Sequence, residues 1–124
     1  MGRRVAVVEP DGLLRRALVS GLAPTGSVVE EFDGGRAFLR GLTEPRPAPL
    51  SLVLLSFRLP DVDALKVLLR LRREHPDLPV VMLAGFGDIG LFDEATRLGA
   101  AEVLQAPVNA ELLQSTFLRH ANPD

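Results

Sequence analysis

Leu52-Val53-Leu54-Leu55-Ser56, continued by Phe57-Arg58-Leu59-Pro60-Asp61, decides the fold. Four consecutive apolar residues leave no polar face, so a strand there is buried on both sides, as inside a parallel sheet. The strand runs from Leu50 to Ser56, and Phe57 to Asp61 form its exit loop. Val5-Ala6-Val7-Val8 has the same character and is β-branched at three of its four positions. Val80-Val81-Met82-Leu83 is a further strand of this kind.

The segments between these runs read as helices and turns. After Glu9-Pro10-Asp11-Gly12, Leu14, Leu18 and Leu22 recur at helical spacing, leaving Arg15 and Arg16 to face water. Pro24-Thr25-Gly26 breaks that helix. Ser27 to Phe32 reads as a second strand, and Asp33-Gly34-Gly35 opens a helix to about Leu42. Thr43 to Pro49 holds three prolines and reads as a surface loop. A third helix is predicted from near Asp61 to about His75, ended by Pro76-Asp77-Leu78-Pro79. Asp88 is placed to cap a fourth helix running to Leu98, with Gly99 as its stop. Ala101 to Leu104 is the fifth strand, and the last helix spans Asn109 to His120 with Leu113 and Phe117 on one face. Strands alternating with helices imply a parallel sheet covered on both faces by right-handed crossovers. In such sheets the functional crevice lies at the carboxyl ends of the strands, here Glu9, Ser56, Ala84 and the region of Gln105-Ala106.

Size and composition bound the function. A chain of 124 residues supports one domain, taken as 1–124, with a sizeable core. Hydrophobic residues at 47% and charged residues at 24% fit a folded globular chain. A net charge of −2 offers no electrostatic case for nucleic acid or a membrane surface as partner. There is no cysteine, which excludes disulfides and thiol catalysis. No apolar run reaches the length of a membrane span. Met1-Gly2-Arg3-Arg4 lead straight into a short strand and not into a signal peptide, so the expected location is cytoplasmic.

In order and spacing, Val7-Val8-Glu9, Arg58-Leu59-Pro60-Asp61, His75 to Val81, Gly87-Asp88-Ile89, Leu98-Gly99-Ala100 and Ala106-Pro107 resemble bacterial response-regulator receiver domains. The stretch from Pro76 to Pro107 is most similar to receivers of the nitrogen-fixation and nitrogen-regulation type. The resemblance implies a flavodoxin-like (βα)5 fold with a doubly wound parallel sheet in strand order 2-1-3-4-5. It also implies a phosphorylation site, which needs five groups. Two acids after the first strand and an aspartate ending the third hold Mg2+, which takes oxygen ligands in octahedral array. That aspartate is also the nucleophile that takes a phosphoryl group from a histidine kinase. A hydroxyl after the fourth strand and a lysine after the fifth bind the transferred group.

The matching positions in this chain are Glu9, Pro10, Ser56, Ala84 and Ala106. One carboxylate of three survives, and the hydroxyl and the lysine are gone. The single lysine of the chain, Lys66, falls in the third helix. Asp11, one place beyond the acidic pair, and Glu9 are the weak candidates for a cation; no metal and no cofactor are expected. The aromatic residue that moves on phosphorylation in the family matches Val103. Pro107 matches a proline that follows a cis bond in the family, so Ala106-Pro107 is expected to be cis.

Other motifs have plain readings. Asp61 and Asp63 are expected to begin the third helix, where its dipole favours negative charge. His75 is a C-terminal dipole partner, and His120 has no visible partner. Lys66, Arg70, Arg72 and Arg73 form a solvated face. Asp33-Gly34-Gly35 is a turn and not a phosphate loop. The expected function is therefore a degenerate receiver in bacterial signalling or transcription control, with no enzymatic activity. It would act through a protein partner or a second copy of itself, by the surface of the fourth helix, fifth strand and fifth helix. The residues proposed for that surface are Phe86, Leu91, Phe92, Val103, Val108 and Leu112. The alternative is a small-molecule sensor using the crevice lined by Pro10, Ser56, Ala84 and Ala106.

Overall fold

Three short apolar runs with no polar face form the centre of the sheet, where both faces of a strand are covered. The computed structural model describes residues 2–123; Met1 and Asp124, the ends of the expected domain, lie outside the described residues. In chain order the elements are β1 (Arg4–Val8), α1 (Gly12–Leu22), β2 (Val28–Phe32), α2 (Gly35–Leu42), β3 (Leu52–Ser56), α3 (Ala64–Glu74), β4 (Val80–Ala84), α4 (Phe92–Arg97), β5 (Glu102–Gln105) and α5 (Ala110–His120). Short 3-10 turns occupy Ala23–Thr25 and Phe86–Leu91. The strands form one parallel sheet in the order β2-β1-β3-β4-β5. This is the flavodoxin-like arrangement expected from the sequence.

Alternation along each strand divides the core into two layers. Ala6, Val8, Val53, Leu55, Val80 and Met82 face one side and pack with Phe38, Leu68, Leu71 and Ala95 from α2, α3 and α4. Val5, Val7, Leu52, Leu54, Val81 and Leu83 face the other and pack with Leu18, Leu22, Leu113 and Phe117 from α1 and α5. Gly21 lets α5 close on α1: a Cβ there would lie 3.0 Å from a Leu113 methyl. Gln114 Nε2 then donates to the Gly21 carbonyl at 3.0 Å.

Helix starts are set by side-chain acceptors that satisfy otherwise orphaned amides. Asp11 accepts from the Leu13 and Leu14 amides, Asp63 from Leu65 and Asn109 from Leu112. Two sequence expectations are corrected here. Asp61 does not begin the third helix, which starts at Ala64. Its carboxylate instead accepts from the Gly35 and Arg36 amides, both at 3.0 Å, and so caps α2, 25 residues and more away in sequence. Asp88 does not cap the fourth helix. It lies inside the 3-10 turn, and α4 begins only at Phe92 without a side-chain cap. Gly99 does end α4, with φ at 107°.

Two polar readings also change. Arg72 is not part of a solvated face. Its stem lies against Gly99, and its guanidinium donates to the carbonyls of His75, Pro76 and Leu78, closing the end of α3. Burial holds its pKa below the usual arginine value. His120 has a partner after all: Nε2 lies 2.6 Å from Glu102 Oε1 on β5.

Candidate functional site

Because all five strands run parallel, the residues that leave them gather at one edge of the sheet. Glu9 follows β1, Ser56 ends β3, Ala84 ends β4 and Ala106 follows β5. These four line one crevice of about 290 Å³ together with Pro10, Asp11, Leu14, Arg58, Leu83, Gly85 and Asp88. The five positions singled out in the sequence are thus brought together.

Each polar group in the crevice has a definite environment. Glu9 is only 4% exposed. Its Oε2 accepts from the Asp11 amide at 2.9 Å, and its backbone carbonyl accepts from Arg15 Nη1 at 2.8 Å. Asp11 Oδ1 is spent on the first turn of α1, as described above. Ser56, 6% exposed, accepts from the Arg58 amide through Oγ at 3.3 Å. Ala84 and Ala106 are joined by their backbones, the Ala106 amide donating to the Ala84 carbonyl at 2.8 Å. The Ala106-Pro107 peptide bond is cis. Among the described residues, no three acidic or histidine side chains come together to hold a metal ion.

Two further side chains shape the crevice: the sequence reading placed Asp88 only as a helix cap and counted Arg58 only for its backbone carbonyl, as a cation ligand matching the family's. Asp88 is 6% exposed, and its Oδ2 accepts from the Gly85 amide at 2.8 Å. Arg58 reaches over from the β3 exit loop and pairs with it, Nη2 to Oδ1 at 3.3 Å and Nε to Oδ2 at 3.4 Å. Arg58 is 70% exposed, so this pair sits at the mouth of the crevice and not beneath it. A Cβ on Gly87 would lie 2.7 Å from Arg58 Nη2, so Gly87 leaves room for the guanidinium.

The residues proposed for an interaction surface are not one exposed apolar face. Phe86 is 81% exposed and Leu112 is exposed, but Leu91 and Phe92 are half-buried. Val103 packs against the core layer of α2, α3 and α4, and Val108 against that of α1 and α5. Those two valines serve opposite layers of the sheet. A larger surface groove, of about 850 Å³, lies at the other end of the strands near Arg4, Leu50 and Leu78. It is far from the strand-end chemistry, and two of its arginines, Arg4 and Arg46, are engaged by Glu30.

A family model described as the response regulator receiver domain matches residues 5–117. The chain is 33% identical to the response regulator protein FleR of Pseudomonas aeruginosa over 121 residues, 98% of this chain and 25% of FleR. It is 29% identical to the transcriptional regulatory protein FixJ of Bradyrhizobium diazoefficiens over 122 residues, 96% of this chain and 58% of FixJ. It therefore spans a quarter of one relative and little more than half of the other. The crystal structure of the receiver domain of NtrX from Brucella abortus superposes with a TM-score of 0.85 at 28% identity, covering 94% of this chain and 96% of that one. No helix among the described residues is long and apolar enough to cross a membrane.

Proposed function

The chain belongs to the response regulator receiver domain family, and from that premise we propose that it is a member that works without phosphorylation. It acts by contact with a protein partner or a second copy of itself. The observation that carries this is Ser56 at the end of β3. A serine hydroxyl is neither a carboxylate nucleophile nor a charged Mg2+ ligand at neutral pH.

The surroundings of Ser56 support the same reading. Ala84 supplies no hydroxyl and Ala106 no ammonium to neutralise a transferred phosphoryl group. Glu9 and Asp11 are engaged by backbone amides. Among the described residues, the one cation that lines the crevice, Arg58, is already paired with Asp88. A domain without phosphoryl input has no ligand-driven bias between two surfaces. Its output is then set by whichever partner binds, and of the six residues proposed for that face Phe86, in the turn before α4, and Leu112, in α5, are the exposed ones.

The test is an amide-resolved NMR titration with Mg2+ and then with beryllofluoride, the phosphoryl mimic. The amides of Glu9, Ser56 and Ala84 are expected to stay in place at millimolar Mg2+ and after beryllofluoride. Saturable shifts at these amides that extend to Val103 and Phe92 would sink the proposal.

A further inference from the structure

Glu9 is 4% exposed, and no cation among the described residues pairs with its carboxylate. Its Oε2 has one backbone amide for a partner, and its Oε1 has none among the described residues. Arg15 is spent on the Glu9 backbone carbonyl and on Glu31, not on the Glu9 carboxylate. A carboxylate oxygen that faces a crevice without a partner gains most from a positively charged hydrogen-bond donor.

Glu9 lines the crevice, where three carboxylates stand against a single guanidinium. Apart from Ser56, the other side chains lining it are apolar: Pro10, Leu14, Leu83, Ala84 and Ala106. A hard metal ion needs about six oxygen ligands, and the described residues hold no such group. An organic cation asks for less, one free carboxylate oxygen for its N–H groups and an apolar wall for its stem. At about 290 Å³ the crevice lies at the lower end of small-molecule sites, too small for a nucleotide-sized ligand.

We propose that the crevice binds a primary alkylammonium group, its nitrogen on Glu9 Oε1 and its stem against Ala84 and Ala106. The Ser56 hydroxyl offers a second acceptor. This rests on the reading that the crevice no longer serves Mg2+ and phosphoryl transfer. The ammonium can come from a free amine or from a lysine side chain, and the two sources can be told apart.

The experiment is an NMR titration of the whole chain with n-butylammonium, and with n-butanol and butyrate as neutral and anionic controls. The amides of Asp11, Ser56, Gly85 and Ala106 are expected to shift saturably with butylammonium alone. Glu9→Gln keeps the shape and removes the charge. It should weaken binding by about tenfold or more, as a charge-assisted hydrogen bond becomes a neutral one. Should that variant fold poorly, Ala106→Lys places an ammonium in the crevice and should abolish binding. A parallel titration with N-acetyl-lysine N-methylamide separates the sources. Binding of both probes points to a polypeptide lysine, and binding of butylammonium alone to a free amine. Equal shifts from butanol or butyrate, or undiminished binding in a folded variant, overturn the proposal. Silence toward both Mg2+ and butylammonium overturns this inference and leaves the phosphorylation-independent reading intact. A beryllofluoride response overturns that reading first.

Discussion

An aspartate at position 56 would be a fourth carboxylate on a crevice that has one guanidinium. Ser56→Asp is therefore expected to lower stability by roughly 1–3 kcal/mol, the cost of a buried and poorly satisfied polar group, in urea denaturation. It is also expected to confer no beryllofluoride response, because Ala84 and Ala106 still lack the groups that would bind it. Stability unchanged, together with a gained response, would mean that the crevice tolerates a phosphorylation site far better than its lining implies. A second residue carries a different kind of constraint. Gly99 holds φ at 107°, and a Cβ there would lie 2.6 Å from Arg72 Cδ. Gly99→Ala should cost about 1–3 kcal/mol by the same measurement, since it adds backbone strain to a clash. Gly99 was legible as a helix stop from sequence. The arginine stem across it was not, because Arg72 stands 27 positions earlier, with the rest of α3, β4 and α4 between.

At the scale of elements, caps decide where helices begin, and one of them comes from a distant loop. Asp61 accepts from the Arg36 and Gly35 amides and holds the start of α2 from the β3 exit loop. Gly35 makes room for this, since a Cβ there would lie 2.1 Å from a Val62 methyl. Asp61→Ala is expected to fray the first turn of α2, seen as faster amide hydrogen exchange at Gly35 and Arg36 with α3 unaffected. Exchange that rises instead in α3 would restore the local-cap reading of the sequence. An Asp-x-Asp preceding a helix looks like a local start signal, and for Asp63 it is. A propensity argument has no access to the second helix that folds back beside it. The same limit applies to Asp88. Its position before a helical stretch looks like a cap, yet the Gly85 amide and Arg58 take its carboxylate.

Across the whole molecule, stability comes from two apolar layers and is trimmed by carboxylates at the surface. Phe38 is fully buried and meets Phe32 edge-on at 5.4 Å between ring centres. Phe38→Ala should cost about 3–5 kcal/mol in urea denaturation, the range for truncating a buried aromatic ring. Acid should destabilise the fold for a separate reason. The Arg46 guanidinium, then Arg4, hold the Glu30 carboxyl below the usual carboxylate range. The Arg36 amide, then Gly35, do the same for Asp61. A depressed folded-state pKa means stability that is full above the unfolded value and is lost as pH falls through the folded value. The urea midpoint is therefore expected to fall as pH drops below about 4–5. Glu30→Gln should flatten that decline, and an identical decline in this variant would remove Glu30 from the account.

The chain by itself determined the architecture and which residues end its strands. Both are written in local signals: runs such as Val80-Val81-Met82-Leu83 have no polar face, and the residues that end strands are fixed by where those runs stop. Parallel pairing then obliges Glu9, Ser56, Ala84 and Ala106 to meet at one edge. Only the tertiary structure decided what the polar side chains do there. Arg58 meets Asp88 across 30 residues, Asp61 caps α2 across 26, and one Glu9 oxygen has no partner among the described residues. Hydrogen bonds and ion pairs are made by position in space, and periodicity along a chain carries no record of which distant donor will arrive.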